Sequence, residues 1–280
     1  MRSTTSIHRA VIPHCNIAAV DKPMVMLFLI LEPLHRQDAP PLPGEVTADA
    51  AFAKQQLLKG ATPVPGSFIH MQCHCNVCVP MRVDVQGFRP NTDLRRVFTR
   101  NAGLSFSVHE GISGPYETDI PYEHATLYRK YMKFRFPDLP DTPHTDHEAS
   151  SFLLDFERMP GMNAQHMDMR GEHGKLLASA IFHTAQDFAY ATAFFYEPAA
   201  RAKTPGITLI MKIIEHLQER GFEHLYMASI TRKPSAYSWK DKFLPMDCLI
   251  DGQWTRIENK AQFRLLRVDR TKAYPAPRQI

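Results

Sequence analysis

A chain of 280 residues in which 44% are hydrophobic can bury a full core, as one large domain or two ordinary ones, which excludes disorder of the whole chain. With 33 Lys+Arg against 29 Asp+Glu the formal charge is +4, too small to announce a nucleic-acid binder, so any basic surface must be local. Five cysteines, three of them packed into Cys73, Cys75 and Cys78, are unlike a disulfide-stapled secreted domain and point to a reduced compartment with a metal or thiol site.

Residues 1–23 show no sustained period and contain Pro13 and Pro23, so an arm is expected there. They carry no apolar run of the kind a secretory signal needs, and the expected address is cytoplasmic. Met24 to Leu31 is a continuous apolar run stopped by Pro33 and reads as a strand buried on both faces. It falls far short of the roughly 20 residues that span a bilayer, and no membrane partner is expected. The proline-rich segment from Gln37 to Gly44 reads as a loop, and Ala48 to Leu58 as a helix closed by Gly60.

The densest block follows, from His70 to Asn91. Met81 to Val85 alternates like a half-buried strand, and Thr92 to Asn101 reads as a short helix carrying Arg95, Arg96 and Arg100. His124 to Phe136 is a second basic helix, with Tyr128 and Tyr131 on adjacent turns among Arg129, Lys130, Lys133 and Arg135, and Pro137 stops it. Residues 138–150 read as a hinge or lid-like loop. Strands are then expected over Phe152 to Phe156, Met167 to Arg170, Leu176 to Thr184 and Phe188 to Tyr196, forming an antiparallel meander. Ile207 to Arg220 is the clearest helix, with Ile207, Ile210, Ile214 and Leu217 at 3–4 spacing and Gly221 at its end, and His224 to Ile230 is one more strand. A meander, a helix begun through Thr204-Pro205-Gly206 and a returning strand is the element order of the acyl-transfer fold of the N-acetyltransferase superfamily. The expected class is α+β: an arm (1–23), a small Cys-containing N-terminal domain (24–118), a GNAT-like acyl-transfer domain of mixed antiparallel sheet with flanking helices (119–266), and a tail (267–280).

Four separated blocks carry a more specific likeness. Cys75-Asn-Val-Cys78-Val-Pro-Met-Arg-Val-Asp-Val, then Phe88-Arg-Pro-Asn, then Arg95-Arg96-Val-Phe-Thr-Arg100-Asn101 form the first; Leu127-Tyr128-Arg-Lys-Tyr131 with Arg135 is the second. The third joins Phe194-Phe-Tyr196-Glu197-Pro198 to Thr204-Pro-Gly206, and the fourth gathers Leu225-Tyr226, Trp239-Lys240, Phe243, Pro245, Gly252 and Trp254. Together they resemble the arginyl-tRNA–protein transferases and the bacterial aspartate/glutamate leucyltransferases, over roughly residues 24–266. The sequence departs from that family's pattern at several points. Asp38-Ala-Pro-Pro-Leu-Pro-Gly44 stands where the family has Cys-Pro-Tyr-Leu-Pro-Gly, Gln72 replaces an outer cysteine, Met227-Ala228-Ser229 replaces Leu-Gly-Tyr, Ala236-Tyr237 replaces Lys-Met, and Phe136 replaces a histidine.

The resemblance implies an aminoacyl-tRNA-dependent transferase that moves a Leu-type or Arg-type aminoacyl group onto an amino group, foremost a protein N-terminal Asp or Glu. The alternatives are the same chemistry on a small-molecule amine, and a silent homologue that binds tRNA or protein. Aminolysis of an activated ester requires no metal or redox cofactor; it needs positioning and hydrogen-bond donors for the oxyanion. Tyr128 and Tyr131 would supply a hydroxyl, stack on the terminal adenosine, or simply anchor their helix. Glu197 would orient or deprotonate the amine or be a turn residue, and the backbone at Gly206 would serve as an oxyanion site or an ordinary helix start. Arg95, Arg96, Arg100, Asn101, Arg129, Lys130, Lys133, Arg135 and Lys240 are the candidate contacts to tRNA, most of them through phosphate. Cys73, Cys75 and Cys78 have the spacing of zinc or iron–sulfur ligands and equally that of reduced thiols. His147, His166 and His173 lack a helical i, i+4 pair, so no catalytic zinc is expected there.

Overall fold

The computed structural model describes residues 49–69, 78–111, 121–137, 142–231 and 238–268. The expected strand from Met24 to Leu31, the loop from Gln37 to Gly44, the terminal arm and tail, and Cys73 and Cys75 lie outside the described residues. Cys78 begins a strand, but its side chain is likewise outside them.

The described elements are α1 (Ala50–Leu58), β1 (Thr62–Val64), β2 (Ser67–Ile69), β3 (Cys78–Asp84), α2 (Thr92–Arg100), β4 (Ser105–Glu110), α3 (Tyr122–Arg135) and α4 (Asp146–Glu157). They continue with β5 (Asn163–Arg170), β6 (Leu176–Ala185), β7 (Phe188–Tyr196), α5 (Pro205–Glu219), β8 (His224–Thr231), β9 (Met246–Ile250), β10 (Gln253–Ile257) and α6 (Lys260–Val268). Short 3-10 turns span Glu172–Gly174, Pro198–Lys203 and Ser238–Phe243.

Eight strands form one sheet in the order β10-β9-β3-β8-β7-β6-β5-β4, and β1 and β2 form a separate hairpin. The expected meander is present: β5, β6 and β7 pair antiparallel in succession. After β7 the chain crosses over through α5 and returns as β8, which runs parallel to β7. This parallel ladder holds only Phe188↔His224, Ala189↔Leu225 and Tyr190↔Tyr226, although both strands continue beyond it. The continuations of β7 and β8 therefore part company toward their C-terminal ends. β3 and β4, from the segment expected to be a separate N-terminal domain, are strands of this same sheet: β3 lies between β9 and β8, and β4 pairs with β5.

Side chains alternate along β6 and β7 between two cores. Leu209, Ile210, Ile213, Ile214 and Leu217 of α5 pack with Val83, Met167, Phe182 and Leu225 on one face of the sheet. On the other, Leu127, Tyr128 and Met132 of α3 and Leu153 and Phe156 of α4 pack with Ile181 and Phe195. Each such side chain withdrawn from water contributes roughly 1.5–3 kcal/mol, so the sheet is clamped from both sides.

The strand expected at Phe152 to Phe156 is instead part of α4. The Thr145 side chain accepts from the Glu148 amide while the Glu148 side chain accepts from the Thr145 amide, a capping box that starts a helix. Ala149, Leu153 and Phe156, at i, i+4 and i+7, are the apolar residues it buries. Helix therefore replaces the expected loop from Asp146 onward. Among the described residues no helix is long and apolar enough to cross a membrane.

Candidate active site

The C-terminal end of β7, the 3-10 turn after it and the start of α5 bring together residues that the sequence scatters. Glu197 follows β7, and its amide donates to the Leu177 carbonyl at 2.8 Å, which fixes the strand end. Lys130 of α3 places Nζ 3.8 Å from Glu197 Oε2, with the lysine half-exposed and the glutamate largely covered. One residue along α3, Tyr131 packs its ring 4.9 Å from that of Tyr196. Burial pushes the Tyr131 phenol up to about 12, so it stays protonated and able to donate at neutral pH. Tyr128, one turn back, is buried between Phe156 and Phe195 at centroid distances of 6.2 and 5.5 Å. Its ring is the helix anchor, and its hydroxyl has no hydrogen-bond partner among the described residues.

The 3-10 turn touches both basic helices. Arg100 at the end of α2 donates to the Ala202 carbonyl at 3.1 Å, and Asn101 donates to the Lys203 carbonyl at 2.9 Å and to Thr208 Oγ1 at 2.8 Å. Asn101 is buried, so it positions the start of α5 instead of standing on a solvent face. Thr204, at φ 49 and ψ 55, adopts a left-handed backbone that a β-branched residue rarely tolerates, and its buried Oγ1 has no partner among the described residues. Gly206 is the second residue of α5, and a Cβ there would meet nothing within 4 Å. The first amides of a helix have no partner within it, and such an end favours an anion or a developing oxyanion.

The other expected cations divide by their engagement. Arg95, Arg96, Arg100, Lys130, Lys133 and Arg135 are exposed on α2 and α3. Arg96 meets Asp93 at 3.4 Å with both side chains more than 70% exposed, a contact of little energetic weight. Arg129 is committed to Asp146 at 2.6 Å, which ties α3 to α4. Lys240 is the clearest departure from expectation: it is buried, and Nζ donates to the carbonyls of Met227 at 2.7 Å and Ser229 at 2.8 Å. Between those two carbonyls Ala228 bulges out of register with β3, at φ 51. The lysine satisfies carbonyls that the bulge takes out of the ladder, so it is a structural cation and not a phosphate contact.

A second polar cluster lies near the β4 edge of the sheet, under the first turn of α3. His109 of β4 stands opposite His166 of β5 in the antiparallel register. His124 of α3 donates from Nε2 to Asp168 Oδ1 at 3.0 Å, His166 donates from Nε2 to Glu157 Oε1 at 2.6 Å, and His109 Nε2 lies 3.5 Å from Asp168 Oδ2. Arg170 bridges Asp168 at 2.9 Å and Glu123 at 2.6 and 3.0 Å. Burial raises the Asp168 carboxyl, but the hydrogen bond from His124 and the other polar neighbours outweigh it and hold the group below the usual carboxylate range. Sequence spacing missed this cluster because its members come from four elements, β4, α3, α4 and β5. The available signal was the alternation His166, Asp168, Arg170, which puts three polar groups on one face of a strand.

An α+β sheet that runs from an antiparallel meander through a crossover helix into a short parallel return is the GNAT-like, acyl-transfer class of fold. The family described as "Arginine-tRNA-protein transferase, C terminus" matches residues 123–250. An aspartate/glutamate leucyltransferase of Xylella fastidiosa (strain M23) is 31% identical over 186 residues, 65% of this chain and 69% of that protein. Another, of Saccharophagus degradans (strain 2-40 / ATCC 43961 / DSM 17024), is 27% identical over 180 residues, 64% of this chain and 72% of that protein. The solved structure of L-PGS from Bacillus licheniformis is 13% identical with a TM-score of 0.46, covering 68% of this chain and 64% of that one. The chain belongs to the family of aminoacyl-tRNA–protein transferases that holds the arginyl-tRNA–protein transferases and the aspartate/glutamate leucyltransferases.

Proposed function

We propose that this transferase moves a leucyl group from Leu-tRNA to the α-amino group of a protein whose first residue is Asp or Glu. The observation that carries the reading is the 31% identity to an aspartate/glutamate leucyltransferase across 186 residues. The neutral amine attacks the ester carbonyl, the carbonyl oxygen takes the charge of the tetrahedral intermediate, and collapse expels the 3′-terminal ribose hydroxyl with the proton lost by the amine. An α-amino group has an ordinary pKa of about 7.7–8.0, so a useful fraction is already neutral and strong general-base chemistry is unnecessary. Glu197, beside Lys130 and at the mouth of the parting strands, orients the ammonium or amine of the acceptor. The amides at the start of α5, with the Tyr131 phenol, are donors of the kind an oxyanion requires. The exposed cations of α2 and α3 hold the acceptor stem through phosphate.

The test supplies purified protein with labelled Leu-tRNA or Arg-tRNA and peptides beginning with Asp, Glu or Ala, each with a free or acetylated amino group. Leucyl transfer confined to free Asp and Glu peptides is expected. Transfer from Arg-tRNA alone would reassign the donor, labelling of a small amine in place of peptides would reassign the acceptor, and no transfer with either would reduce the chain to a binding protein. Glu197→Gln should lower the single-turnover transfer rate by about 10-fold or more while leaving the tRNA Kd within about 2-fold, since an amine-orienting group acts mainly in the transition state. Equal losses in both would move Glu197 from the reaction to tRNA binding.

A further inference from the structure

We infer that His109, His124 and His166 bind a divalent transition-metal ion of the zinc class, one ion per chain, at the β4 edge of the sheet. Each of the three imidazoles has a ring nitrogen within 4.8 Å of one on each of the others. A zinc ion with bonds of about 2.0–2.1 Å holds tetrahedral ligand atoms roughly 3.3–3.4 Å apart, so closure draws the three nitrogens together by at most about 1.5 Å.

Two independent observations point to a ligand here. First, His124 and His166 are buried, and in each the Nδ1 atom has no hydrogen-bond partner among the described residues. Buried polar nitrogens are nearly always satisfied, so two orphans in one cluster mark a place for a missing partner. Second, the opposite nitrogen of each ring is held by a carboxylate, His124 by Asp168 at 3.0 Å and His166 by Glu157 at 2.6 Å. That is the arrangement that fixes tautomer and ring direction in metal-binding histidines, and it leaves the other nitrogen of each ring unprotonated. Arg170 and Glu123 in turn hold Asp168 and the first turn of α3 in place.

The site also has a way in. His109 lies on β4, the last strand at its end of the described sheet, with its side chain 37% exposed, whereas His124 and His166 are enclosed. Three imidazoles suit zinc, copper, nickel or iron in preference to calcium or magnesium, and three protein ligands leave a fourth position to water. The ion would pin the start of α3 to β4 and β5. Two turns further on, that helix carries Lys130 and Tyr131, so the metal acts as a positioning element for the transfer site and takes no step in the chemistry.

Cobalt(II) titration of the full chain distinguishes this site from the cysteines. The expected result is one equivalent bound with the visible bands of nitrogen and oxygen ligation and without the thiolate-to-metal absorption that Cys73, Cys75 and Cys78 would add. His109→Ala removes an exposed ligand and should weaken zinc binding at least about 100-fold with the circular dichroism unchanged. Glu157→Gln keeps an acceptor for His166 but loses its charge, and should cost about 10–100-fold. Zinc should raise the Tm of the wild type and not of His109→Ala. Binding and thermal shift equal to wild type in both variants, or no cobalt spectrum other than a thiolate one from the folded wild type, would overturn the inference and leave a hydrogen-bonded histidine cluster.

Discussion

Gly206 and Ala228 are two small residues whose substitutions separate folding from function. At Gly206 a Cβ meets no protein atom within 4 Å, and no left-handed backbone is required of it. Gly206→Ala should therefore leave stability unchanged or raise it by up to about 1 kcal/mol, since Ala is the better helix former. If aminoacyl ester approaches the amides of this helix end, the added methyl should still cut transfer by about 10-fold or more. Unaltered kinetics in a normally folded variant would place the ester elsewhere. Ala228 is the reverse case: at φ 51 its Cβ is strained, and the family pattern has glycine in the corresponding Leu-Gly-Tyr. A left-handed L-residue costs about 1–2 kcal/mol, offset by the greater unfolded freedom of glycine. Ala228→Gly should then stabilise by about 0.5–1 kcal/mol in urea unfolding, and a loss of stability would mean that the alanine methyl packs usefully in the bulge.

The helices α2 and α3 are linked through the turn at Pro198–Lys203, Arg100 reaching Ala202 and Lys130 approaching Glu197. Their exposed cations thus border the same helix start. Replacing Arg96, Arg100 and Lys133 together by Ala should weaken tRNA binding and lower the slope of log K against log salt by up to about 3, because each lost phosphate contact releases one fewer counterion. An unchanged slope in fluorescence titrations would remove these helices from the RNA interface. Strongly periodic elements were legible in the sequence: α5 and β7 stand where 3-4 spacing and apolar alternation place them. What failed did so for local reasons. In α4 the run Phe152 to Phe156 hides a helical period that becomes clear only with Ala149 and the capping box at Thr145 and Glu148. Asn101, Arg129 and Lys240 read as surface polar groups because charge alone does not reveal burial. Their partners, at Lys203, Asp146 and the β8 carbonyls, come from other elements or from a bulge that spacing cannot foresee. The histidine cluster left only the alternation along β5 as a trace, since β4 and α3 meet that strand only after the sheet has formed.

At the scale of the whole molecule, the polar groups enclosed beneath α3 and α4 set how stability responds to acid. His183 of β6 is fully buried: Nε2 donates to the Glu157 carbonyl at 3.2 Å, and Nδ1 accepts from the Thr192 hydroxyl at 2.8 Å. The neutral ring is thus satisfied at both nitrogens, and desolvation pushes its pKa from the ordinary 6.5 to about 4. Between those values the unfolded chain binds a proton that the folded chain refuses, so this residue's contribution is fully present above pH 6.5 and is lost as pH falls toward 4. The slope from one such group is at most about 1.4 kcal/mol per pH unit. Asp146 and Asp187 do not oppose it in this window, because Arg129 and Lys54 hold them below their ordinary range and they stay charged until lower pH. Urea unfolding at pH 7.0, 6.0 and 5.0, values chosen to bracket roughly the upper part of that window, should therefore show stability falling with acid. His183→Gln, which can donate to the same carbonyl and accept from the same hydroxyl, should flatten the fall. The tie from β6 to the end of α4 survives in that variant while the titrating proton is gone, so a slope identical to wild type would show that His183 is not the group that refuses it.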